Sequence, residues 1–279
     1  MRSLLLGLAL LWALVPATAW ARPVIVWAVV EGPPEHERPE ARRIHDLGQG
    51  PLDQTLRLLA GQLPEVEHRV EAMSLEKVWR DMRLGRPVCF ADAFKTNERL
   101  KVARFVELSP SPRMLLVALA GRLPPGPELS LRELLAAGEL RGLFGRQRSY
   151  GDELDRVLDE FNPRREPMPP DAKLLPMLQQ GRMDFLLENA NGWLQTTEGA
   201  LDVRLVREGR QTPPVHVACG RGVRQDLVRQ VDGAVRQLSR LDEWLQLKLL
   251  SYPPMARDEQ RANLQRYLRQ RAEQPVVSD

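Results

Sequence analysis

The sequence is poor in the residues that build metal centres and nucleophilic active sites. It has two cysteines and four histidines among 279 residues. The histidines are scattered, and His36-Glu37 lacks the second histidine, four residues later, that a zinc-binding helix requires. No Ser-His-Asp set and no nucleophilic cysteine are apparent. We therefore expect no metal and no cofactor.

Long charge runs and long apolar runs are also scarce. The 40 Lys and Arg residues nearly balance 37 Asp and Glu residues, for a formal charge of +3. The basic pairs Arg42-Arg43 and Arg164-Arg165 are short and lack the interleaved aromatics of single-strand binders, so we predict no nucleic-acid partner. After residue 21, no apolar stretch is long enough to span a bilayer.

The one long apolar run lies at the N-terminus. Arg2 precedes the run Leu4–Val15, Pro16 follows it, and Ala19-Trp20-Ala21 has the small-x-small pattern of a signal-peptidase site. The run is shorter than a membrane span, although an uncleaved anchor is the alternative. No cysteine follows that could be acylated. Residues 1–21 are therefore predicted to be a signal peptide cleaved after Ala21, which leaves an unanchored periplasmic protein.

The two cysteines, Cys89 and Cys219, each lie in an apolar, strand-like segment. An oxidising compartment favours one disulfide between such a pair. Two separate buried thiols are the alternative.

The order of predicted elements indicates an α/β protein with two successive sheets. The mature chain is also longer than one compact core usually holds. In the first series we predict strands over 24–30, 67–73 and 87–94, with helices over 52–63 and after Ser74. In the second series, Ser130 and Glu133 form a capping box, and strands are predicted at 113–120, 142–147, 184–188 and 202–206, with helices at 151–161 and 189–199. A last strand at 215–219 precedes a helical tail.

Three ordered segments resemble motifs of bacterial periplasmic solute-binding proteins of the polar amino-acid type (family 3). The first is Lys95–Arg99 with Phe105–Pro110, the second is the loop Gly145–Gly151, and the third is Leu178–Glu188. The resemblance spans about residues 24 to 245. It implies a divergent member of this family.

The resemblance implies a two-lobed periplasmic-binding-protein fold of type II, with a cleft between the lobes. Each lobe would be an open, mostly parallel sheet flanked by helices. Residues 22–112 and 215–279 would form lobe one, and residues 113–214 lobe two. The returning strand lies beside the third strand of lobe one in that architecture, which places Cys219 beside Cys89 and favours the disulfide.

The resemblance also implies a ligand site. Arg99 matches the arginine that binds the ligand carboxylate. Ser149 matches the residue whose hydroxyl and neighbouring backbone amides bind the same carboxylate. Glu188 matches the acid that binds the ligand ammonium group. The alternatives are a surface ion pair of Arg99 with Glu98 or Glu107, a plain helix cap at Ser149, and a solvated strand end at Glu188.

The sequence departs from the family pattern at two places. Asp92 and Phe94 stand where small hydroxyl residues line the end of the third strand, and Asp92 could neutralise the anion site or favour a cationic ligand. The aromatic shelf after the first strand is not visible at Glu31–Pro34, so Tyr150 or Trp193 could supply a stacking face.

These features predict a monomeric binding protein rather than an enzyme. It would close on a small polar solute and hand it to an inner-membrane permease or a sensor. One alternative is a signalling protein whose cleft no longer selects a metabolite. The other is a periplasmic dehydratase that uses Glu188 or Asp92 as its general acid or base.

Overall fold

The structure is a computed structural model that describes residues 22–30, 40–146, 148–168, 173–188, 200–209, 213–250, 252 and 257–278. The predicted signal peptide, the predicted helix at 189–199 with Trp193, and the segment Glu31–Pro34 lie outside the described residues. No helix in the described ranges has the length and apolar character needed to cross a membrane.

The strands alternate with helices along most of the chain. The strands are β1 Val24–Val29, β2 Glu67–Ala72, β3 Val88–Phe94, β4 Ala103–Ser109, β5 Leu115–Leu119, β6 Glu128–Leu129, β7 Gly142–Gly145, β8 Arg165–Glu166, β9 Phe185–Glu188, β10 Leu201–Val206, β11 Val215–Gly220 and β12 Val277–Ser278. The helices are α1 Pro51–Gly61, α2 Leu75–Arg83, α3 Asn97–Leu100, α4 Leu131–Ala137, α5 Asp152–Phe161, α6 Leu174–Gln179, α7 Gln225–Leu238, α8 Asp242–Leu249 and α9 Arg257–Glu273.

The first sheet has the strand order β12-β4-β11-β3-β1-β2. Strand β1 pairs in parallel with β2 and β3, whereas β11 is antiparallel to both of its neighbours. Cys219 on β11 lies directly opposite Cys89 on β3, and their sulfurs are bonded at 2.00 Å. The predicted disulfide is confirmed.

The second sheet has the order β6-β10-β5-β9-β7-β8. Only β5 runs against its two neighbours, β10 and β9, while the remaining pairings are parallel. The chain passes from the first sheet to the second between β4 and β5, and it returns between β10 and β11. The predicted fold of two α/β sheets flanked by helices is confirmed. We call the part built on the first sheet lobe one and the part built on the second lobe two.

Each sheet is covered by apolar packing on both faces, which explains why the central strands are mostly apolar. In lobe one, α1 and the C-terminal helices α7, α8 and α9 pack on one face, and α2 packs on the other. In lobe two, α4 and α5 cover one face and α6 covers the other. Each lobe therefore has its own apolar core on both faces of its sheet.

The N-terminus of α4 is capped differently from the prediction. The Ser130 hydroxyl accepts the Glu133 backbone N–H at 3.1 Å, as expected of a cap. The Glu133 carboxylate pairs with Arg207 at 2.9 Å, and the carboxylate of Glu208 accepts the N–H groups of Leu131 and Arg132 at 3.0 and 3.2 Å. The first two N–H groups of α4 are thus capped by a carboxylate from the chain beyond β10, and Glu133 does not complete a capping box.

A buried ion pair fastens the C-terminus to lobe one. Arg271 on α9 donates to Asp232 on α7 at 2.6 Å, and both side chains are buried. Asp232 also accepts the backbone N–H of Val276 at 3.1 Å, while Arg271 donates to the carbonyl of Glu107 at 2.8 Å. We call these contacts of Asp232 and Arg271 the C-terminal clip. The clip brings β12 alongside β4, where β12 covers the edge of the first sheet.

Candidate functional site

Arg99 lies in the short helix that follows β3. The Thr96 hydroxyl accepts its backbone N–H at 3.3 Å, and its guanidinium donates to the Phe94 carbonyl at 2.8 Å. The guanidinium also lies over the ring of Trp79, 4.3 Å from the ring centroid. Burial lowers the pKa of Arg99 to about 10, against the opposing effect of the carboxylates of Asp155 and Asp92. Arg99 is therefore a desolvated cation that lies over an aromatic ring.

Ser149 and Tyr150 lie in the loop before α5 and direct their donors at Asp155. The Ser149 hydroxyl donates to Asp155 at 2.5 Å, and the Tyr150 backbone N–H donates to the other carboxylate oxygen at 2.9 Å. Burial raises the pKa of Asp155, although both hydrogen bonds work against that increase. The donors predicted for a ligand carboxylate are thus engaged by a carboxylate of the protein.

Glu188 ends β9, and its side chain is 1% exposed. Arg148 donates to both of its carboxylate oxygens, at 2.6 and 3.2 Å, in a bidentate pair. The acid predicted to hold a ligand ammonium is engaged by a guanidinium of the protein.

The remaining predicted site residues separate into two groups. Asp92 and Phe94 lie beside Arg99 and Ser149 around a small inner cavity of about 60 Å³. Tyr150 is instead 1% exposed and packs in the core of lobe two, where its hydroxyl accepts the Gly145 backbone N–H at 2.8 Å. Its ring faces the core and Arg148, 5.4 Å away, rather than the inner cavity.

A larger cavity of about 480 Å³ opens outward from this cluster, and both lobes line it. This volume is typical of small-molecule sites. Lobe one supplies Trp79, Arg83, Thr96, Glu98, Arg99 and Lys101. Lobe two supplies Arg148, Ser149, Asp155, Asp159 and Arg165.

Three residues of the cluster were not singled out from the sequence as site residues. Trp79 lies on α2 and is buried, and the guanidinium of Arg99 lies over its ring. Arg148 directly precedes Ser149 in the recognised loop, and Asp155 follows one turn into α5. Their position in and after that loop was the available signal, but no spacing rule links either residue to its partner.

No protein-family model matches the chain, and no curated protein matches it by sequence. Solved structures do match. An ancestral arginine-binding protein bound to arginine has 14% identity and a TM-score of 0.61, with 84% of this chain and 99% of that chain covered. A Salmonella typhimurium periplasmic binding protein described for high arginine specificity has 11% identity and a TM-score of 0.61, with 84% and 100% covered.

A third match is an amino-acid ABC transporter substrate-binding protein from Streptococcus pneumoniae bound to L-arginine. It has 14% identity and a TM-score of 0.58, with 91% of this chain and 97% of that chain covered. At such identities the likeness shows a shared fold. This chain therefore has the two-lobed fold of the amino-acid substrate-binding proteins over nearly their whole length.

Proposed function

We propose that the protein is a periplasmic binding protein whose two lobes close on a small polar solute. The observation that carries the proposal is the cavity of about 480 Å³, which is lined by charged groups from both lobes. A solute that contacts both walls stabilises the closed arrangement, so binding and closure are coupled without any chemical step.

The solved structures of the same fold support this proposal, because several are substrate-binding proteins bound to amino acids. We further propose that the protein is a monomer, unanchored after removal of residues 1–21, which delivers its solute to an inner-membrane permease or reports it to a sensor.

A thermal-denaturation panel tests the proposal. The mature protein is melted with amino acids, polyamines, small carboxylates and phosphates, and native mass spectrometry of protein purified from its periplasm searches for a retained solute. A solute present at a hundred times its Kd adds about 2.7 kcal/mol, which raises Tm by about 5–10 °C for a chain of this size.

The variant Arg99→Ala should lose this shift, whereas Arg69→Ala, which removes an exposed arginine of β2, should keep it. A panel in which no solute raises Tm, together with no retained solute in the mass spectrum, would remove the basis for the proposal.

A second candidate function is favoured by the pairing of the predicted ligand contacts with each other. Arg148 engages Glu188, and Asp155 engages Ser149, without any solute. A signalling protein that recognises a protein partner needs no metabolite contact at these residues. In that case a strain carrying Arg99→Ala would keep the wild-type phenotype, whereas a solute carrier would lose function. A dehydratase that uses Glu188 as its general acid or base is disfavoured, because both oxygens of Glu188 already accept hydrogen bonds from Arg148.

A further inference from the structure

We infer that the amino-acid subsite of this cleft is filled by the protein's own charged side chains, and that the solute is a small dianion bound in the outer cavity. This inference rests on the proposed function and narrows it to one chemical class of solute. The common feature of that class is two separated acidic groups, as in a dicarboxylate or in a phosphate ester that carries a carboxylate, where the phosphate adds up to one further charge near pH 7.

Arg148 occupies the position in which the ammonium group of a bound amino acid would contact Glu188. Its guanidinium forms a bidentate pair with Glu188, which is almost fully buried. A ligand ammonium could reach Glu188 only by displacing Arg148, and the displaced guanidinium would remain inside the same cleft. Like charges would then face each other with little water to screen them. This arrangement disfavours any ligand that presents an ammonium group at Glu188.

Asp155 occupies the position in which the carboxylate of a bound amino acid would contact Ser149. Its two oxygens accept the Ser149 hydroxyl and the Tyr150 backbone N–H, which is how the helix end was predicted to hold a ligand carboxylate. The same carboxylate acts electrostatically on Arg99 across the cleft. Both charges of a zwitterion therefore have an internal counterpart.

The volumes agree with this assignment. The inner cavity beside Asp92, Phe94, Arg148 and Ser149 is about 60 Å³, which is room for a few waters. The outer cavity is about 480 Å³, within the range of ligand sites. Of these two cavities, the outer one has space for a solute and the inner one does not.

The outer cavity has cationic side chains on both walls. Arg83 lies one helical turn after Trp79 on α2, so that both side chains reach the cavity from one face of the helix. Arg83 is exposed, and it forms no ion pair with any residue in the described ranges. Arg99 lies on the same wall, and Arg165 lies on the lobe-two wall.

The acidic side chains of this cavity already have partners, and those of Asp155 are Ser149 and Tyr150. Glu98 pairs with Lys101 at 2.6 Å, and Asp159 pairs with Arg165 at 3.4 Å, the longer and weaker of the two contacts. Arg83 and the desolvated Arg99 therefore favour an acidic group on the lobe-one side. A second acidic group at the far end of the solute would meet Arg165, and the two contacts together would hold the lobes closed.

Isothermal titration of the mature wild-type protein tests the inference. The probes are succinate, 3-phosphoglycerate, L-arginine and L-glutamine, each at low and at physiological salt. We expect heat of binding from succinate or from 3-phosphoglycerate, and none from the two amino acids. Binding of succinate would indicate a dicarboxylate site, and binding of 3-phosphoglycerate would indicate a phosphate site. The affinity should fall with added salt.

Two sets of variants locate the bound dianion. Arg83→Gln should weaken its binding by roughly 10- to 100-fold, since a charge-assisted contact is lost. The matched control is Arg80→Gln, on the same helix but absent from the cavity lining, and it should bind as the wild type does. The double variant Arg148→Ala/Asp155→Ala should gain measurable binding of L-arginine or L-glutamine. Circular dichroism checks that each variant is folded.

The outcomes separate the inference from the proposed function. Wild-type binding of L-arginine or L-glutamine overturns the inference and leaves the proposed function standing. Binding of a dianion that Arg83→Gln does not weaken also overturns the inference. If no small solute binds the wild type in this titration or in the thermal panel, both the inference and the proposed function fail.

Discussion

His216 is a buried titratable residue that lies away from the cleft. It stands on β11, is 2% exposed, and meets the ring of Phe105 edge-on with 5.7 Å between the centroids. Burial lowers the pKa of His216 to about 4 from its usual 6.5; the carboxylate of Glu107 acts in the opposite direction, and Lys95 adds to the decrease. The fold therefore holds this imidazole neutral.

This lowered pKa predicts a loss of stability in mild acid. The unfolded chain takes up a proton at His216 near pH 6.5, whereas the folded chain does so only near pH 4. Stability is thus full above pH 6.5 and declines by up to about 3 kcal/mol as the pH falls toward 4. Urea denaturation from pH 7.5 to pH 4 measures the decline, and His216→Gln should lack this part of it. Parallel pH profiles for the wild type and the variant would contradict the prediction.

At the scale of single residues, the sequence indicated which groups meet but not how they pair. Arg99, Ser149 and Asp92 were expected at one cleft, and the structure places them around one inner cavity. The pairing of Arg148 with Glu188 spans 40 residues of sequence, and nothing in the local pattern specifies it. Charged side chains choose partners through burial and distance, which single-sequence patterns do not encode. The ligand roles of these residues stay predictions.

Among the secondary-structure elements, the C-terminal clip determines whether β12 forms. The carboxylate of Asp232 holds both Arg271 and the backbone N–H of Val276, and the next two residues pair with β4. A two-residue strand has too few contacts of its own to persist without such support.

Removal of this carboxylate should therefore destabilise the protein and release β12. Asp232→Ala leaves the guanidinium of Arg271 buried without its ionic partner, a change that costs about 3–5 kcal/mol. Hydrogen exchange should show the amide of Glu107, which donates to the Val276 carbonyl at 3.1 Å, exchanging faster. The control Asp226→Ala removes an exposed ion pair at the start of α7 and should have little effect. If the Glu107 amide kept its wild-type protection in Asp232→Ala, the clip would not be what holds β12.

Helices and buried strands were the elements that the sequence predicted well. The predicted helix after Ser74 is present as α2, and the predicted strand at 87–94 is present as β3. Strand β4 was quoted only as a motif, because its apolar residues do not alternate regularly over 103–109. Strand β12 is fixed by the distant Asp232, so no local pattern could predict it.

Across the whole molecule, the disulfide joins residues that are 130 apart in sequence. A crosslink of this span restricts the unfolded chain strongly, and its loss costs about 2–5 kcal/mol. We expect the double variant Cys89→Ser/Cys219→Ser, and the wild type under strong reductant, to unfold at lower urea concentrations. An unchanged midpoint in both would show that the bond adds nothing to stability.

The two-sheet architecture was predictable because the order of strands and helices can be read from the local sequence pattern. Strands that alternate with helices indicated two successive sheets, and the ordered motifs implied the return of β11 to the first. Solved structures with 11–14% identity share this fold, so it tolerates almost complete replacement of the sequence. The polarity of the cleft is less predictable, because it depends on a few charged side chains rather than on the buried pattern that determines the sheets.

Every strand of the second sheet lies between Cys89 and Cys219 in the chain. The chain from Cys89 to Cys219 and the disulfide between them form one covalent ring, which the disulfide closes inside lobe one. Lobe two is one arc of this ring. A protease that cut a single peptide bond anywhere in that arc would leave one covalent molecule, and its two pieces would separate only after reduction. Proteolysis within lobe two thus opens the ring without releasing either piece.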